Sequence, residues 1–469
     1  MSTDYLHGIE TLEISDGIRP IQTVRSSVIG LIGTAPDADA AVFPLNTPVL
    51  LPGSPLKAAG LGDNGTLKDA VDGIYDQVGA TVVVIRVEEG ADQNETFDNI
   101  LGDITMQTGV HAFRTAEAVV KVTPRILIAP GFTSIRPTGV NQISVDTGGA
   151  DYVAATTTVQ IAGDGAGAEA EAVIVGGAVT GITITKRGYG YTAPPTVTIT
   201  DTGAGAGATA TATIASVGNP VVAELQGIAA AMRAVILADG PNTTNADAIT
   251  YREDFGSDRI MVIDPHVLVT DGLVATAEPS SARAAGLQAK MDKERGFWWA
   301  FSNQPITGVV GVDRPVEFRL NDPNGESNHL NENEVTTVIH KDGYRFWGVR
   351  GTGTDPQWAF LSVRRTADMI YESIEQALIW AMDRPMSKQL IEDIGNSVNA
   401  YLRNLKARGA ILGGSVYLDP ELNTPDQLMA GHLYIDFDIE PPAPLERLTF
   451  RAHRNAGYYE ELIDQVELA

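Results

Sequence analysis

Val82-Val83-Val84-Ile85-Arg86-Val87 carries β-branched apolar side chains at every position but Arg86. A run with that texture is a strand, and apolar side chains on both of its faces need cover on both sides. Val28-Ile29-Gly30-Leu31-Ile32, Arg125-Ile126-Leu127-Ile128-Ala129 and Arg259-Ile260-Met261-Val262-Ile263-Asp264 have the same character. The third of these four in chain order ends at a Pro130-Gly131 turn signal. Helical patterns lie between them: residues 66–77, with Thr66 as N-cap and Asp69 completing a capping-box-like pair, residues 221–237, and residues 281–292. Strands alternating with helices predict an α/β core whose mixed or parallel sheet is covered on both faces.

Between Val140 and Val217 the texture changes. There is no Leu, Phe, Trp, Met or His, and Gly, Ala, Thr and Val dominate. Gly165-Ala166-Gly167-Ala168-Glu169-Ala170-Glu171-Ala172 is echoed by Gly205-Ala206-Gly207-Ala208-Thr209-Ala210-Thr211-Ala212. The segment from Tyr152 is echoed from Tyr191, so the offset is about 39 residues, a supersecondary repeat length. Ile182-Thr183-Ile184-Thr185 and Thr196-Val197-Thr198-Ile199-Thr200 alternate as strands do. Gly has no three-residue period, which excludes collagen. Residues 138–218 are therefore expected to be an all-β module inserted into the α/β core.

The C-terminal third reads as α+β. Residues 366–382 form one amphipathic helix, with Ile370, Ile374, Leu378 and Ala381 on a stripe. Residues 385–408 form a second, with Ile391, Ile394, Val398, Leu402 and Leu405 on its buried face and Gly409 as its stop. Residues 431–440 and 445–453 are expected to be strands flanking Pro441-Pro442-Ala443-Pro444, and 321–333 a polar loop. Both ends, 1–25 and 457–469, mix polar and apolar residues without enough periodicity to bury a core. They read either as loose termini or as arms that add a strand to something else.

The 469 residues give a prior of about three domains and ample apolar material, 43%, for a core. With 59 acidic and 33 basic side chains the net charge is −26, which argues against phosphate-backbone binding and against anionic membrane surfaces. The absence of cysteine excludes disulfides, thiolate metal sites and cysteine nucleophiles. The first ten residues are acidic without an apolar run, so no secretory signal is read there. A soluble protein made in the cytoplasm is the expectation.

Little points to catalysis. Gly60, Gly62 and Gly65 form G-x-G-x-x-G before the helix at Thr66, with Glu88 and Glu89 a little over twenty residues on. The dinucleotide fingerprint requires its strand immediately before the glycines, and Pro52-Gly53-Ser54-Pro55-Leu56-Lys57 intervenes. A Gly-rich turn into a capped helix explains the same residues. The seven histidines, 7, 111, 266, 329, 340, 432 and 453, make no close metal pair. Asp436, Asp438 and Glu440 share a strand face that could hold a cation or simply be solvated. There is no G-x-x-x-x-G-K-[ST] loop and no G-x-S-x-G elbow, and Asp322-Pro323-Asn324-Gly325 reads as a turn. In the helix over 385–408, Glu392 and Asp393 come early and Arg403, Lys406 and Arg408 late. That order complements the helix dipole, and equally makes a basic patch on an acidic protein.

Several segments, taken in order, resemble contractile phage tail sheath proteins: Tyr5-Leu6-His7-Gly8-Ile9-Glu10, residues 28–34, Asp37-Ala38-Asp39-Ala40, Phe43-Pro44-Leu45-Asn46, Thr123-Pro124-Arg125-Ile126-Leu127, Asp342-Gly343-Tyr344-Arg345-Phe346-Trp347-Gly348, residues 391–409, and Gly431-His432-Leu433-Tyr434-Ile435-Asp436-Phe437-Asp438. The resemblance spans nearly the whole chain except about 138–218, which departs from it as an insertion. It implies a subtilisin-like strand order without protease motifs, and no cofactor. It also implies a sheath core over 26–137 and 219–350, the inserted module over 138–218, a C-terminal domain over 351–456, and arms over 1–25 and 457–469. The implied function is a structural, non-enzymatic subunit that polymerises as stacked hexameric rings around a tail tube and contracts to drive the tube through an envelope. Implied partners are the chain itself, the tube, and baseplate and tail terminator proteins, with no nucleic acid and no membrane. The implied place is the virion tail, assembled in the host cytoplasm. Leu12, Ile14, Leu433, Ile435, Leu448, Phe450, Leu462 and Val466 are the candidates for strand pairing between subunits, with the edges of 431–440 and 445–453 expected to receive the terminal arms of a neighbour. Arg403, Lys406 and Arg408 are the candidates for facing the tube. From the residues alone, a nucleotide-dependent enzyme on the α/β core stays as the alternative, and a surface-binding protein working through its β insertion is a third class.

Overall fold

The computed structural model describes residues 20–270, 272 and 274–465. The first strands are β1 (Ile29–Thr34), β2 (Val49–Leu51), β3 (Val82–Val87) and β4 (Ile126–Ile128). The insertion then supplies β5 (Thr138–Ala150), β6 (Thr157–Ala162), β7 (Ala166–Val175), β8 (Ala178–Tyr189), β9 (Thr196–Asp201) and β10 (Ala206–Ser216). The chain re-enters the body as β11 (Val235–Asp239) and β12 (Ile260–Ile263). A small sheet follows, β13 (Val267–Thr270), β14 (Ala275–Glu278) and β15 (Gly311–Val312), and then β16 (Val335–His340) and β17 (Tyr344–Trp347).

The central sheet has eight strands in the order β17-β16-β12-β11-β4-β1-β3-β2. The strands from β16 to β3 run parallel to their neighbours, and antiparallel β17 and β2 close the two edges. Alternate residues divide between two cores, as the period of two requires. Ile29, Leu31, Val82, Val84, Ile126, Ile128, Val235, Leu237, Met261 and Ile263 face helices Leu67–Tyr75 and Ser280–Glu294. Ile32, Ile85, Val87, Leu127, Ile236, Ala238, Ile260 and Val262 face helices Gln93–Leu101, Pro220–Met232 and Asn245–Glu253. Arg86, the one polar residue of β3, stays buried because its Nε donates to the Phe43 carbonyl at 2.8 Å and its Nη1 to that of Ala35 at 3.1 Å.

Some boundaries differ from the sequence reading. The apolar run 221–237 is a helix only to Met232. Arg233 takes φ 50°, and the remainder turns into β11. The polar loop 321–333 contains a short helix, Glu326–Glu332. Thr66 makes no side-chain cap to its own helix; its Oγ1 instead accepts from the Thr34 N–H at 3.1 Å, tying that helix to β1. The two C-terminal helices run over Leu361–Ala377 and Lys388–Ala407, the second capped by Ser387.

These two helices pack on the last two-stranded sheet, β18 (Gly413–Tyr417) and β19 (Asp436–Glu440), around Met369, Ile370, Ile374, Val398, Tyr401, Leu402 and Leu405. Residues 431–435 and 445–453, expected as strands, are not: β19 begins only at Asp436, and no described residue after Glu440 pairs in a strand.

Candidate assembly surfaces

The helix Leu361–Ala377 meets the α/β body through a line of ion pairs. Arg364 faces Asp258, Arg365 grips Asp292, Asp368 takes the guanidinium of Arg259, Glu372 that of Arg125 and Glu375 that of Arg233. Burial grades along it. Asp368 and Asp292 are each 1% exposed, whereas Glu375 is 61% exposed. At the exposed end a cleft of about 340 Å³ opens between body and helix, lined by Arg114, Arg125, Arg233, Glu117, Glu372 and Glu375. Sequence reading missed this interface. The i, i+4, i+8 spacing of Arg364, Asp368 and Glu372 marks one helix face, and charge on a face normally signals solvent.

The segment just before β1 lies on the same C-terminal unit. Ile21 and Val24 pack on its core, the Val24 N–H donates to Ser373 Oγ at 3.0 Å, and Thr23 Oγ1 lies 3.0 Å from the Tyr401 hydroxyl. Residues 20–25 are thus docked on their own chain, inside the span expected to be an arm.

The β18–β19 hairpin presents two edges that pair with no other strand among the described residues. One hairpin face is apolar, with Val416, Phe437 and Ile439 turned to the helices. On the other, Asp438 accepts from the Ser415 N–H at 2.7 Å. No group of three acids or histidines among the described residues could hold a metal ion, Asp436, Asp438 and Glu440 included. Leu433 and Ile435 are half-buried just ahead of β19. Beyond it the chain forms no helix or strand up to Ala456 and its apolar side chains are exposed: Leu445 by 78%, Leu448 by 64% and Phe450 by 85%. Bidentate pairing of Arg350 with Glu446, at 2.8 and 2.7 Å, holds the start of this segment to the body. Leu462 sits in the helix Gly457–Asp464, with Tyr458, Tyr459 and Ile463 also exposed. Leu12, Ile14 and Val466 lie outside the described residues.

At the end of helix Lys388–Ala407, Arg403 and Lys406 are exposed and make no ion pair among the described residues. Arg408 stacks over the Trp298 ring, 5.4 Å from its centre. The three are brought to one helix end, where their charge also suits the dipole. The glycines of G-x-G-x-x-G have a packing reason. A Cβ on Gly62 would lie 2.6 Å from the Asp37 side chain, and one on Gly65 2.4 Å from the Thr34 carbonyl oxygen. Close packing against the loop after β1 accounts for glycine at these positions. No helix among the described residues is long and apolar enough to cross a membrane.

The comparisons with known proteins agree with this geometry. Residues 214–352 match the family model described as the phage tail sheath protein central domain, and residues 353–454 the one described as the phage tail sheath C-terminal domain. The tail sheath protein of Escherichia phage P2 is 31% identical over 475 residues, covering 99% of both chains. That of Burkholderia phage BcepMu is 34% identical, covering 98% of each. The chain belongs to the contractile phage tail sheath family. A sheath subunit is a structural protein. The fold is shared with a sheath chain of an extracellular contractile injection system in its contracted state, at a TM-score of 0.60 and 13% identity over 98% of this chain and 100% of that one. Membership gives the virion tail as the place of this sheath subunit.

Proposed function

We propose that the chain polymerises with itself as stacked hexameric rings around a tail tube, and that contraction of this lattice drives the tube through a target envelope. The observation that carries self-association is the pairing of open edges with an unpaired donor. Among the described residues β18 and β19 leave both edges free, and residues 445–453 form no strand of their own while their sequence alternates Leu448, Phe450 and Ala452 with Arg447, Thr449 and Arg451. That alternation suits a strand added to the sheet of a neighbour. Residues 445–453 then act as a donor rather than as the receiving strand, and the segment around Leu12 and Ile14 as a second donor. Leu433, Ile435 and the receiving hairpin move with the acceptor; Leu462 and Val466 lie beyond the donor strand.

Main-chain pairing tolerates rotation of whole subunits while each backbone hydrogen bond contributes roughly 0.5–1.5 kcal/mol net. Contraction needs no nucleotide in this reading. The lattice is assembled in a metastable arrangement and relaxes to one with better contacts. Arg403, Lys406 and Arg408 face the tube, a basic patch on a chain of net charge −26. Baseplate and tail terminator proteins bound the lattice at its ends, and assembly takes place in the host cytoplasm. The test is electron microscopy of the purified chain: rings or tubes are expected, and dispersed particles at every concentration would overturn the proposal.

A further inference from the structure

The insertion consists of two three-stranded units, β5-β6-β7 and β8-β9-β10, and most of their strand pairing runs between units. β5 pairs β10, β7 pairs β8, and β6 pairs β9, all antiparallel. The registers superimpose under the sequence repeat. Ala206↔Ala150 in one pair corresponds to Ala166↔Tyr189 in the other, and Thr157↔Asp201 maps onto Ala162↔Thr196. The irregularities coincide as well, after Thr209 and Thr213 in β10 and after Glu169 and Val173 in β7.

Side chains cross between units in the same way. The Ala208 N–H donates to the Tyr152 hydroxyl at 3.1 Å, and the equivalent Ala168 N–H lies near the Tyr191 hydroxyl. Tyr152 covers Gly205, where a Cβ would lie 2.6 Å from the ring. Tyr191 covers Gly165, where it would lie 2.5 Å from the ring. Left-handed glycines recur at equivalent places, Gly149 with Gly188 and Gly167 with Gly207. This is an isologous contact, in which each unit offers the other the same surface.

The units are joined only by the two-residue turn Gly176-Gly177, between the paired Val175 and Ala178. Both glycines have positive φ, 62° and 84°, as the tight primed hairpin turn needs. We infer that the inserted module is a strand-exchanged dimer closed within one chain, and that the surface joining its halves recognises a second copy of this chain whenever that turn cannot close. Without Gly176 and Gly177, β7 would run straight into β8. The same registers would then be satisfied only between two chains, about a true two-fold axis.

The chain has no cysteine, so the exchange can be read by a designed disulfide. Thr158 and Thr200 are directly paired across β6 and β9, with their hydroxyls 2.8 Å apart. In the full chain, Thr158→Cys with Thr200→Cys should cross-link within one chain and run at its ordinary mass on a denaturing, non-reducing gel. The same pair with Gly176 and Gly177 deleted should run mainly at twice that mass. Gly176→Val with Gly177→Val, which keeps the length but opposes positive φ, should give a mixture of the two species. All five tryptophans lie outside the insertion, so their fluorescence reports folding of the body in each variant. A single-mass band for both turn variants, with or without the internal cross-link and with the body folded, overturns the inference. The readout is independent of whether the chain forms sheaths.

Discussion

The Arg365 guanidinium holds both carboxylate oxygens of Asp292, at 3.0 and 2.7 Å, with 3% and 1% of the two side chains exposed. This pair lies at the buried end of the ionic line that joins the C-terminal helices to the α/β body. Its geometry fixes one orientation between the two. Whether it also stabilises them is a separate matter, because desolvation offsets much of the attraction.

Arg365→Met should therefore cost about 3–5 kcal/mol, since it strands a buried carboxylate. Arg365→Met combined with Asp292→Leu should return most of that loss while relaxing the orientation. Denaturant unfolding gives the first quantity, and small-angle scattering of a non-polymerising form the second. A single variant as stable as the parent would mean that Asp292 reaches water.

His111 is 5% exposed, its Nδ1 has no partner, and its Nε2 lies 3.7 Å from Glu224. Burial pushes its pKa below the usual value, although Glu224 opposes the shift. The folded state thus holds it neutral. The stability this contributes is complete above the unfolded pKa of about 6.5 and is lost as pH falls through the lower folded value. His111→Leu should flatten the drop in denaturation midpoint between about pH 7 and pH 5. An unchanged drop would assign it to other groups.

Excision of residues 138–216 should leave a chain that folds and polymerises. The two ends already meet, with the Val217 N–H donating to the Pro137 carbonyl at 2.9 Å. One contact must be replaced. Tyr189 is buried against Phe97, ring centres 4.9 Å apart, and hydrogen-bonds Asp98. Phe97→Thr in the excised chain removes the apolar surface so uncovered. Insoluble or non-polymerising protein would show that the insertion is part of the lattice.

Arg403→Glu with Lys406→Glu should weaken polymerisation on purified tubes. In the parent, added salt should mimic the effect, since such contacts are screened beyond about 8–10 Å at physiological ionic strength. Arg408 is left in place because its stacking on Trp298 gives it a second role. Normal sheathing of tubes by the double variant would reduce these charges to partners of the helix dipole.

The α/β sheet was legible because its strands are apolar throughout and its helices amphipathic. Val82 to Val87 could hardly be anything but a covered strand. The limits of legibility are equally physical. Ala229-Ala230-Ala231-Met232-Arg233-Ala234-Val235 has no periodic break at the point where Arg233 leaves the helix, so helix and strand merged into one apolar run. Arg364, Asp368 and Glu372 share a charged helix face, and nothing local in the sequence reveals the opposite charges of Arg125, Asp258 and Arg259 that cover it. Leu448 and Phe450 alternate as a strand should, but among the described residues no strand pairs with them and both are exposed, so the local pattern alone could not give their structure.

In the proposed lattice, residues 445–453 become a strand only in the sheet of a neighbouring subunit. Backbone amide exchange over that segment, measured in free chains and in polymerised sheath, tests it directly. Fast exchange in the free chain and slow exchange in the polymer are expected, with protection alternating along the strand if only one of its edges is paired. Exchange that stays fast after polymerisation would contradict the claim and leave the self-association to some other surface.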